Sequence, residues 1–380
     1  MRDRLALRWS ELSFRLPMVV DRRERELAVA TLGVQPLAFR VMQKLRTFWL
    51  AGGIMMALAS CSDPVTVRVF TGLTMGSTYE VKVATKLPIT DIQQIVGEEL
   101  TAFDVAFSNW RENSEIQRVN AHRSTEPFAV SERFANVLQQ ALAIAGATNG
   151  AFDPTLKPLS DLYRRAKNNP DLGLRDDELL KAKERVGYQL VSVADGKLTK
   201  HHEDIQLDLD GVVAGAAADA IAKELLARGV DSFYLEITGE VLCHGVKPGG
   251  VAWRIGVVDP SSDSSGGQEA AVAVSLRDRA LCSSGDYRNA VIVGGRVVHH
   301  LFDPRTGRNP EHAVVSASVI AESCAVADAL GTALMVLGDE ASRALWPAMQ
   351  SIGAESALFL KPGVDTQWQQ VRFEWPTEDS

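Results

Sequence analysis

Two side chains near the C-terminal end of the chain have the types and the spacing needed to bind one hard cation. Asp328 and Thr332 stand four residues apart, in a segment that opens on Ser323, a common capping residue of helices. On a helix this spacing puts both side chains on one face, with Cβ atoms about 5–6 Å apart. Such a pair can share a cation; the alternative is a hydrogen bond between the two on a tightly packed helix.

The residues around this pair are small, so a ligand or another element can approach the helix backbone closely. They are Ala325, Ala327, Ala329, Gly331 and Ala333.

A second segment, residues 206–229, is predicted to run from a strand through a glycine turn into a helix. The free N–H groups and the positive dipole end at such a helix start suit a diphosphate. The segment contains neither GxGxxG nor GxxxxGK[ST], so it supports neither a Rossmann fold nor a P-loop. The alternative is that its Gly and Ala residues simply let a helix lie close on a sheet.

From residue 65 onward, β-like runs are interspersed with amphipathic helical stretches, which predicts an α+β fold. One helix is predicted to begin at Thr90, whose spacing to Gln93 is that of a capping box. Another is predicted from Ser131 to about Thr148. The β-like runs are Val65–Phe70, Thr78–Ala84, Ile205–Leu209, Ser232–Ile237, Trp253–Val258, Ala290–Val293, Val297–Phe302 and Val314–Ile320.

Composition and charge restrict the classes of function. The 380 residues are 46% hydrophobic and 23% charged, which is ordinary for a soluble globular protein. The net charge is −8, and the first 60 residues are basic, so the remaining chain is strongly acidic and is expected to repel nucleic acid. Four scattered cysteines without a CxxC pair argue against a disulfide framework and a cysteine-based zinc site.

The N-terminal region has the layout of an exported lipoprotein. A short basic stretch that starts at Met42 precedes the apolar residues 48–60, which number 13 against about 20 in a membrane-spanning helix. Residues 58–61 read Leu-Ala-Ser-Cys and resemble a bacterial lipobox. Cys61 is therefore predicted to carry acyl chains that hold the protein to a membrane. The alternative is an apolar helix packed in a core.

This interpretation divides the chain into four parts. Residues 1–41 carry mixed charges and precede the signal, so we expect an upstream extension with translation starting at Met42. Residues 42–60 are the predicted signal peptide, 61–66 a short tether, and 67–375 a single domain.

The chain contains turn-rich polar segments whose order and residue patterns match the motifs of one family. They are Met75-Gly76-Ser77, Trp110 through Asn120, Gly150 through Thr155, Asp208 through Gly211, Ser284 through Tyr287, His300 through Gly307, and Ala327 through Thr332. In these motifs the chain resembles the ApbE family of FAD:protein FMN transferases. The resemblance implies an α+β fold in which mixed or antiparallel sheets pack with helices around a central flavin cleft.

The resemblance also implies roles for single residues. Similar proteins bind Mg²⁺ through the carbonyl group of Gly211 and the side chains of Asp328 and Thr332, and oxygen ligands of these kinds are those that Mg²⁺ prefers. The positions implied for FAD binding are Met75, Trp110, Ala151, Phe152, Asp153, Asp208 and Phe302.

The family resemblance further implies the reaction and its partners. Similar proteins move FMN from FAD to a threonine hydroxyl of a partner protein and release AMP. Their partners are subunits of membrane redox pumps of the Nqr and Rnf type, with an acceptor motif like D-x-x-S-[GS]-A-T. Together with Cys61, this implies a lipid-anchored enzyme on the periplasmic side of a bacterial membrane.

His300 is the candidate base that accepts the proton of the attacking hydroxyl. It matches the family motif, and imidazole has an ordinary pKa of about 6.5. The alternative is a structural histidine at a strand end. His299 is expected to point to the opposite strand face and to miss the same site.

The chain departs from the family pattern at two places. Ala214 stands where many relatives have Lys or Glu, so a long-side-chain contact to the cofactor is missing, and residues 236–240 read EITGE rather than DIGGE. Neither change affects the predicted metal ligands, so activity is expected. Two other functions stay open, namely hydrolysis of FAD to FMN and AMP, and storage of FAD by a periplasmic lipoprotein without chemistry.

Overall fold

A computed structural model describes residues 65–169, 171, 173–262, 269–286, 291–293, 296–364 and 367–377. The predicted upstream extension, signal peptide and lipidation site at Cys61 lie outside these residues, as does Tyr287. In the described ranges, no helix is both long and apolar enough to cross a membrane.

The described chain is built around an eight-stranded sheet in which every neighbouring pair is antiparallel, in the order β1-β2-β6-β7-β10-β13-β14-β15. Its strands are β1 (Val67–Thr74), β2 (Ser77–Ala84), β6 (Phe233–Ile237), β7 (Glu240–His244), β10 (Arg279–Gly285), β13 (Ser316–Ala321), β14 (Ala354–Pro362) and β15 (Trp368–Phe373). Three smaller antiparallel sheets accompany it. They contain β3 (Phe128–Ala129), β4 (Val191–Ala194), β5 (Lys197–Lys200), β8 (Trp253–Val258), β9 (Ala270–Leu276), β11 (Val291–Val293) and β12 (Arg296–Val298).

Helices and a hairpin cover the two faces of the main sheet, and this explains why all six residues of β13 are buried. The larger core contains residues of α6 and α7, while β8 and β9 contribute to a second core on the sheet. The helices are α1 (Ile89–Phe107), α2 (Glu115–Ala121), α3 (Glu132–Ala147), α4 (Lys157–Asn168), α5 (Asp176–Lys183), α6 (Asp210–Ala227) and α7 (Cys324–Ser351). The predicted α+β class with antiparallel sheets is confirmed.

Helices α6 and α7 approach each other very closely. Gly215 permits the contact, because a Cβ at that position would overlap the carbonyl oxygen of Cys324 at the start of α7. The Ser323 side chain caps α7 by accepting a hydrogen bond from the backbone N–H of Val326 (3.3 Å), which confirms the predicted cap. The small residues of α6 thus let it lie close on another helix, and α6 also packs on β6 and β7 of the main sheet, as the alternative expected.

Two local predictions are wrong. Helix α1 begins at Ile89 with Pro88 as its capping residue, so Thr90 lies inside the helix and forms no capping box. The predicted strand Ile205–Leu209 is irregular, because the side chain of Asn120 takes the place of a partner strand. The Asn120 amide donates to the carbonyl of Leu207 (2.9 Å), and the N–H of Leu207 donates back to the Asn120 side-chain oxygen (2.7 Å).

The predicted strand Val297–Phe302 is shorter than expected, since β12 ends at Val298. The Asn309 side-chain amide donates to the carbonyl oxygens of His299 (2.8 Å) and Leu301 (2.6 Å). These bonds satisfy the backbone that follows the strand and replace ladder hydrogen bonds. His299 and His300 therefore lie in a loop, and the strand-face argument does not apply to them.

Candidate functional site

One cavity of about 480 Å³ brings together nine of the residues predicted to form the site. This volume falls within the range of small-molecule sites. The nine are Trp110, Ala151, Phe152, Asp153, Asp208, Gly211, His300, Phe302 and Thr332. Asp328 does not line the cavity itself, and neither does Met75.

The predicted metal ligands meet where α6 begins beside α7. Gly211 has non-helical dihedral angles (φ −84°, ψ 17°), so the backbone kinks at this residue. A Cβ at Gly211 would lie 3.4 Å from the Thr332 hydroxyl oxygen, which shows how closely the two residues approach. Asp328 lies one turn before Thr332 on α7, is 7% exposed, and accepts a hydrogen bond from the backbone N–H of Gly215 (3.1 Å).

In the described part of the chain, no hydrogen bond joins the Asp328 carboxylate to the Thr332 hydroxyl. The alternative of an internal Asp–Thr pair is therefore wrong in this structure. Both groups keep lone pairs for another partner.

The charge around Asp328 favours a cation. Burial raises the pKa of the Asp328 carboxyl, and the negative charges of Asp219 and Asp210 raise it further. Burial and the charge of Asp208 likewise raise the pKa of Asp210. A divalent cation beside these carboxylates would offset their mutual repulsion, so the residues present fit a metal ion.

The donor set indicates which metal could bind. Among the described residues, no three His, Cys, Asp or Glu side chains are placed to hold an ion together. A cation here would depend on hydroxyl, carbonyl and substrate oxygens besides the Asp328 carboxylate. Such a set suits Mg²⁺ and does not suit Zn²⁺.

Phe152 and Asp153 follow a sharp turn at the end of α3. Asn149 and Gly150 both have positive φ (50° and 74°), which reverses the chain and brings the next residues to the cavity. The Asp153 carboxylate accepts hydrogen bonds from the N–H (2.8 Å) and hydroxyl (2.6 Å) of Thr155 and from the N–H of Tyr188 (2.8 Å). Asp153 therefore holds two loops together at the cavity wall.

His300 lines the cavity with its imidazole ring. Its Nδ1 is buried and has no hydrogen-bond partner among the described residues. Burial lowers the pKa of His300, and the positive charge of Lys167 lowers it further. The ring is therefore neutral at pH 7 and able to accept a proton. Phe302, almost fully buried beside it, packs edge-on against Tyr163 with ring centroids 6.0 Å apart.

Two predicted flavin-binding residues lie in contrasting places. Trp110 is 81% exposed at the cavity, and the guanidinium of Arg164 lies 5.2 Å from its ring centroid. Met75 forms the tip of the β1–β2 hairpin with φ 49°, followed by Gly76 with φ 74°. The described cavity does not include Met75, so its binding role stays a prediction.

Sequence reasoning missed six polar cavity residues, including the uncharged Ser160 and Asn168 on α4. Asp210 stands at the variable position of the DLxG motif, and the amide of Asn109 donates to its carboxylate (2.8 Å). The other three are Tyr163, Arg164 and Lys167 on α4. The signal that could have found them is the spacing of residues 160, 163, 164 and 167, which marks one face of a helix.

Comparison with known proteins extends these findings. A sequence model of the ApbE family matches residues 75–354. The FAD:protein FMN transferase of Vibrio cholerae is 34% identical over 310 residues, which cover 80% of this chain and 92% of that relative. The FAD:protein FMN transferase of Escherichia coli K12 is 30% identical over 284 residues, which cover 73% and 80% respectively.

Solved structures agree with the sequence matches. The flavin transferase ApbE from Vibrio cholerae has a TM-score of 0.70 at 31% identity, covering 81% of this chain and 97% of that one. The ApbE protein of Thermotoga maritima has a TM-score of 0.71 at 28% identity, with the same shares covered. The predicted family is confirmed: the chain belongs to the ApbE family.

Proposed function

We propose that this protein transfers FMN from FAD to a threonine hydroxyl of an acceptor protein, with Mg²⁺, and releases AMP. The observation that carries the proposal is that Gly211, Thr332 and His300 line one cavity. Asp328 lies one helical turn from Thr332, and Nδ1 of His300 has no hydrogen-bond partner among the described residues. These are the groups that phosphoryl-type transfer requires, namely a site for charge neutralisation and a proton acceptor. Relatives named FAD:protein FMN transferase support the transfer of FMN from FAD to a protein.

Asp328, Thr332 and the carbonyl of Gly211 would hold Mg²⁺. When bound, the ion would neutralise charge on the diphosphate of FAD and on the departing AMP. The close packing of α6 on α7 fixes these three groups before substrate arrives, so little reorganisation is needed during the reaction.

His300 accepts the proton of the attacking threonine hydroxyl. The hydroxyl oxygen bonds to the phosphorus on the FMN side of the diphosphate, and the bond from that phosphorus to the bridging oxygen breaks. AMP leaves with the bridging oxygen, and the proton passes to the imidazole. Because the pKa of His300 is lowered, the ring is in its neutral, proton-accepting form at pH 7.

The proposed setting is the periplasmic side of a bacterial membrane, with the protein anchored through a lipidated Cys61. The support is the lipobox-like sequence Leu-Ala-Ser-Cys and the basic, apolar stretch before it. The proposed acceptors are subunits of membrane redox complexes of the Nqr or Rnf type. Mass analysis of the protein made in its own host tests the anchor, and recovery of peptides from residues 1–41 would contradict the proposed start at Met42.

The test of the transfer is a flavin-labelling assay. The purified protein is incubated with FAD, Mg²⁺ and an acceptor subunit that contains the D-x-x-S-[GS]-A-T motif, and flavin fluorescence is followed through denaturing electrophoresis. We expect a fluorescent acceptor band, which EDTA and a threonine-to-alanine acceptor abolish. Free FMN and AMP without a labelled acceptor would indicate a hydrolase. Bound FAD without turnover would indicate a storage protein.

A further inference from the structure

Helix α4 forms a basic wall of the cavity. Ser160, Tyr163, Arg164 and Lys167 all line it, and their spacing places them on one face of the helix. Among the described residues that line the cavity, Arg164 and Lys167 are the two with a basic Lys or Arg side chain. The charged residues elsewhere on its wall are aspartates: Asp153, Asp208 and Asp210.

The side chains of Arg164 and Lys167 each have identifiable neighbours. The guanidinium of Arg164 lies 5.2 Å from the ring centroid of Trp110 and donates from Nη1 to the carboxylate of Asp161 (2.9 Å). Those contacts orient a group that has five N–H donors, so part of the fork can still bind an anion. Lys167 is close enough to His300 for its charge to lower the pKa of that imidazole.

An acidic cavity needs such cations if its substrate is a dinucleotide. The diphosphate of FAD is an anion, and Asp208 and Asp210 in the same cavity repel it. A cation held by Asp328 and Thr332 would attract the diphosphate from one wall only. Arginine and lysine on another wall would attract it from a second direction, and Arg in particular forms paired hydrogen bonds with phosphate oxygens.

We propose that Arg164 and Lys167 bind the diphosphate of FAD and so determine the preference of this cavity for phosphorylated flavins. The inference deepens the proposed function, on which it rests. Lys167, which lines the same cavity as His300, places the diphosphate beside that imidazole, where the phosphorus must lie for the hydroxyl to attack.

The test compares binding of three flavins that differ in phosphate content. Dissociation constants for riboflavin, FMN and FAD are measured by flavin fluorescence in EDTA, for the unchanged protein and for Arg164→Gln and Lys167→Gln. We expect each substitution to weaken FAD binding about tenfold, as for loss of a charged hydrogen bond, and to leave riboflavin binding unchanged. Lys167→Arg keeps the charge and should restore most of the affinity.

The matched control is Arg165→Gln on the same helix. Arg165 pairs with Glu178 of α5 (2.9 and 2.6 Å) and does not line the cavity, so FAD binding should stay unchanged. An equal loss for riboflavin and FAD in the Arg164 and Lys167 variants would show a packing role and overturn the inference. Unchanged FAD binding in both variants would overturn it as well, while transfer to an acceptor could still proceed. Failure of the unchanged protein to bind FAD would overturn the proposed function too.

A second readout is the pH dependence of transfer. The groups around His300 are Lys167 and Tyr163 on α4, His299 beside it in the loop, and the aspartates of the cavity wall. Removing the positive charge in Lys167→Gln should raise the pKa of His300 and move the acid limb of kcat/KM to higher pH. Arg165→Gln should leave the limb in place. An unmoved limb in Lys167→Gln would place the ammonium away from the reacting groups and contradict the proposal.

Discussion

The two walls of the cavity are supported by very different amounts of protein. The wall made by α6 and α7 belongs to the largest core, which also takes in α1, α3 and one face of the main sheet. The wall made by α4, His300 and Phe302 packs on a separate cluster of seven buried residues, and Leu301 beside them joins the larger core. Local stability follows the density of such buried contacts. The predicted metal ligands thus lie in the more extensively packed part of the protein, whereas fewer buried residues support the wall with His300 and the basic pair.

This difference suits a reaction in which one substrate is a protein. The wall that fixes the charge-neutralising groups has to be organised in advance, because misplacement by about 1 Å can cost a hundredfold in rate. In the proposed reaction, the other wall has to admit FAD and the threonine of an acceptor. A small satellite core allows such movement at low cost.

The largest expected effect comes from removing the negative charge of Asp328. Asp328→Asn should lower transfer by roughly a thousandfold, because the buried carboxylate is the charged ligand of the proposed cation. Mn²⁺ binding, followed by electron paramagnetic resonance, should be lost together with activity.

The matched control for this change is Asp339→Asn. Asp339 lies in the later part of α7, directly after the non-helical Gly338, pairs with Lys361 (3.0 Å) and does not line the cavity. The Asp339→Asn variant should therefore retain both activity and Mn²⁺ binding. Normal Mn²⁺ affinity in Asp328→Asn would show that the metal does not bind at this wall.

The next effect tests the wall that contains His300. His300→Gln should leave FAD binding intact and lower kcat by about a hundredfold, which is typical of a lost general base. Because burial and Lys167 lower the pKa of His300, the unchanged enzyme should stay active below the ordinary imidazole pKa of about 6.5. Activity should fall only as the pH passes down through the lowered value.

His299→Gln is the control, since His299 is the preceding residue and does not line the cavity. It should keep kcat within a few-fold and leave the acid limb unmoved. A larger loss of kcat in His299→Gln than in His300→Gln would assign the role of general base to His299 instead of His300.

The third prediction concerns the close contact between α6 and α7 at Gly215. Gly215→Ala should lower the free energy of unfolding by about 3 kcal/mol, because the added Cβ meets the Cys324 backbone and α7 must shift. Urea denaturation measures this. Gly97→Ala in α1 is the opposite case: nothing lies within 4 Å of the added Cβ, and a gain of about 0.5–1 kcal/mol is expected. Equal effects of the two changes would mean that close packing of α6 on α7 does not stabilise the protein.

The sequence predicted one wall better than the other, for a physical reason. The Asp328 and Thr332 pair, the Ser323 cap and the small residues of α7 are local patterns, and a helix turns such patterns directly into geometry. The basic face of α4 has an equally local pattern, but its meaning depends on which part of the fold lies opposite. That information comes from contacts between distant residues, such as Asn120 with Leu207, which also turned a predicted strand into an irregular segment.

The smallest expected effect separates a true helix cap from an apparent one. The Ser323 hydroxyl accepts from the N–H of Val326 (3.3 Å) and donates to Asp219 (2.7 Å), so Ser323→Ala should cost about 1–2 kcal/mol of unfolding free energy. Thr90 has the spacing of a capping box but lies inside α1, so Thr90→Ala should change stability by less than about 0.5 kcal/mol. Urea denaturation of both variants provides the comparison. A cost for Ser323→Ala as small as that for Thr90→Ala would mean that the start of α7 is fixed by its packing on α6, with the cap contributing little.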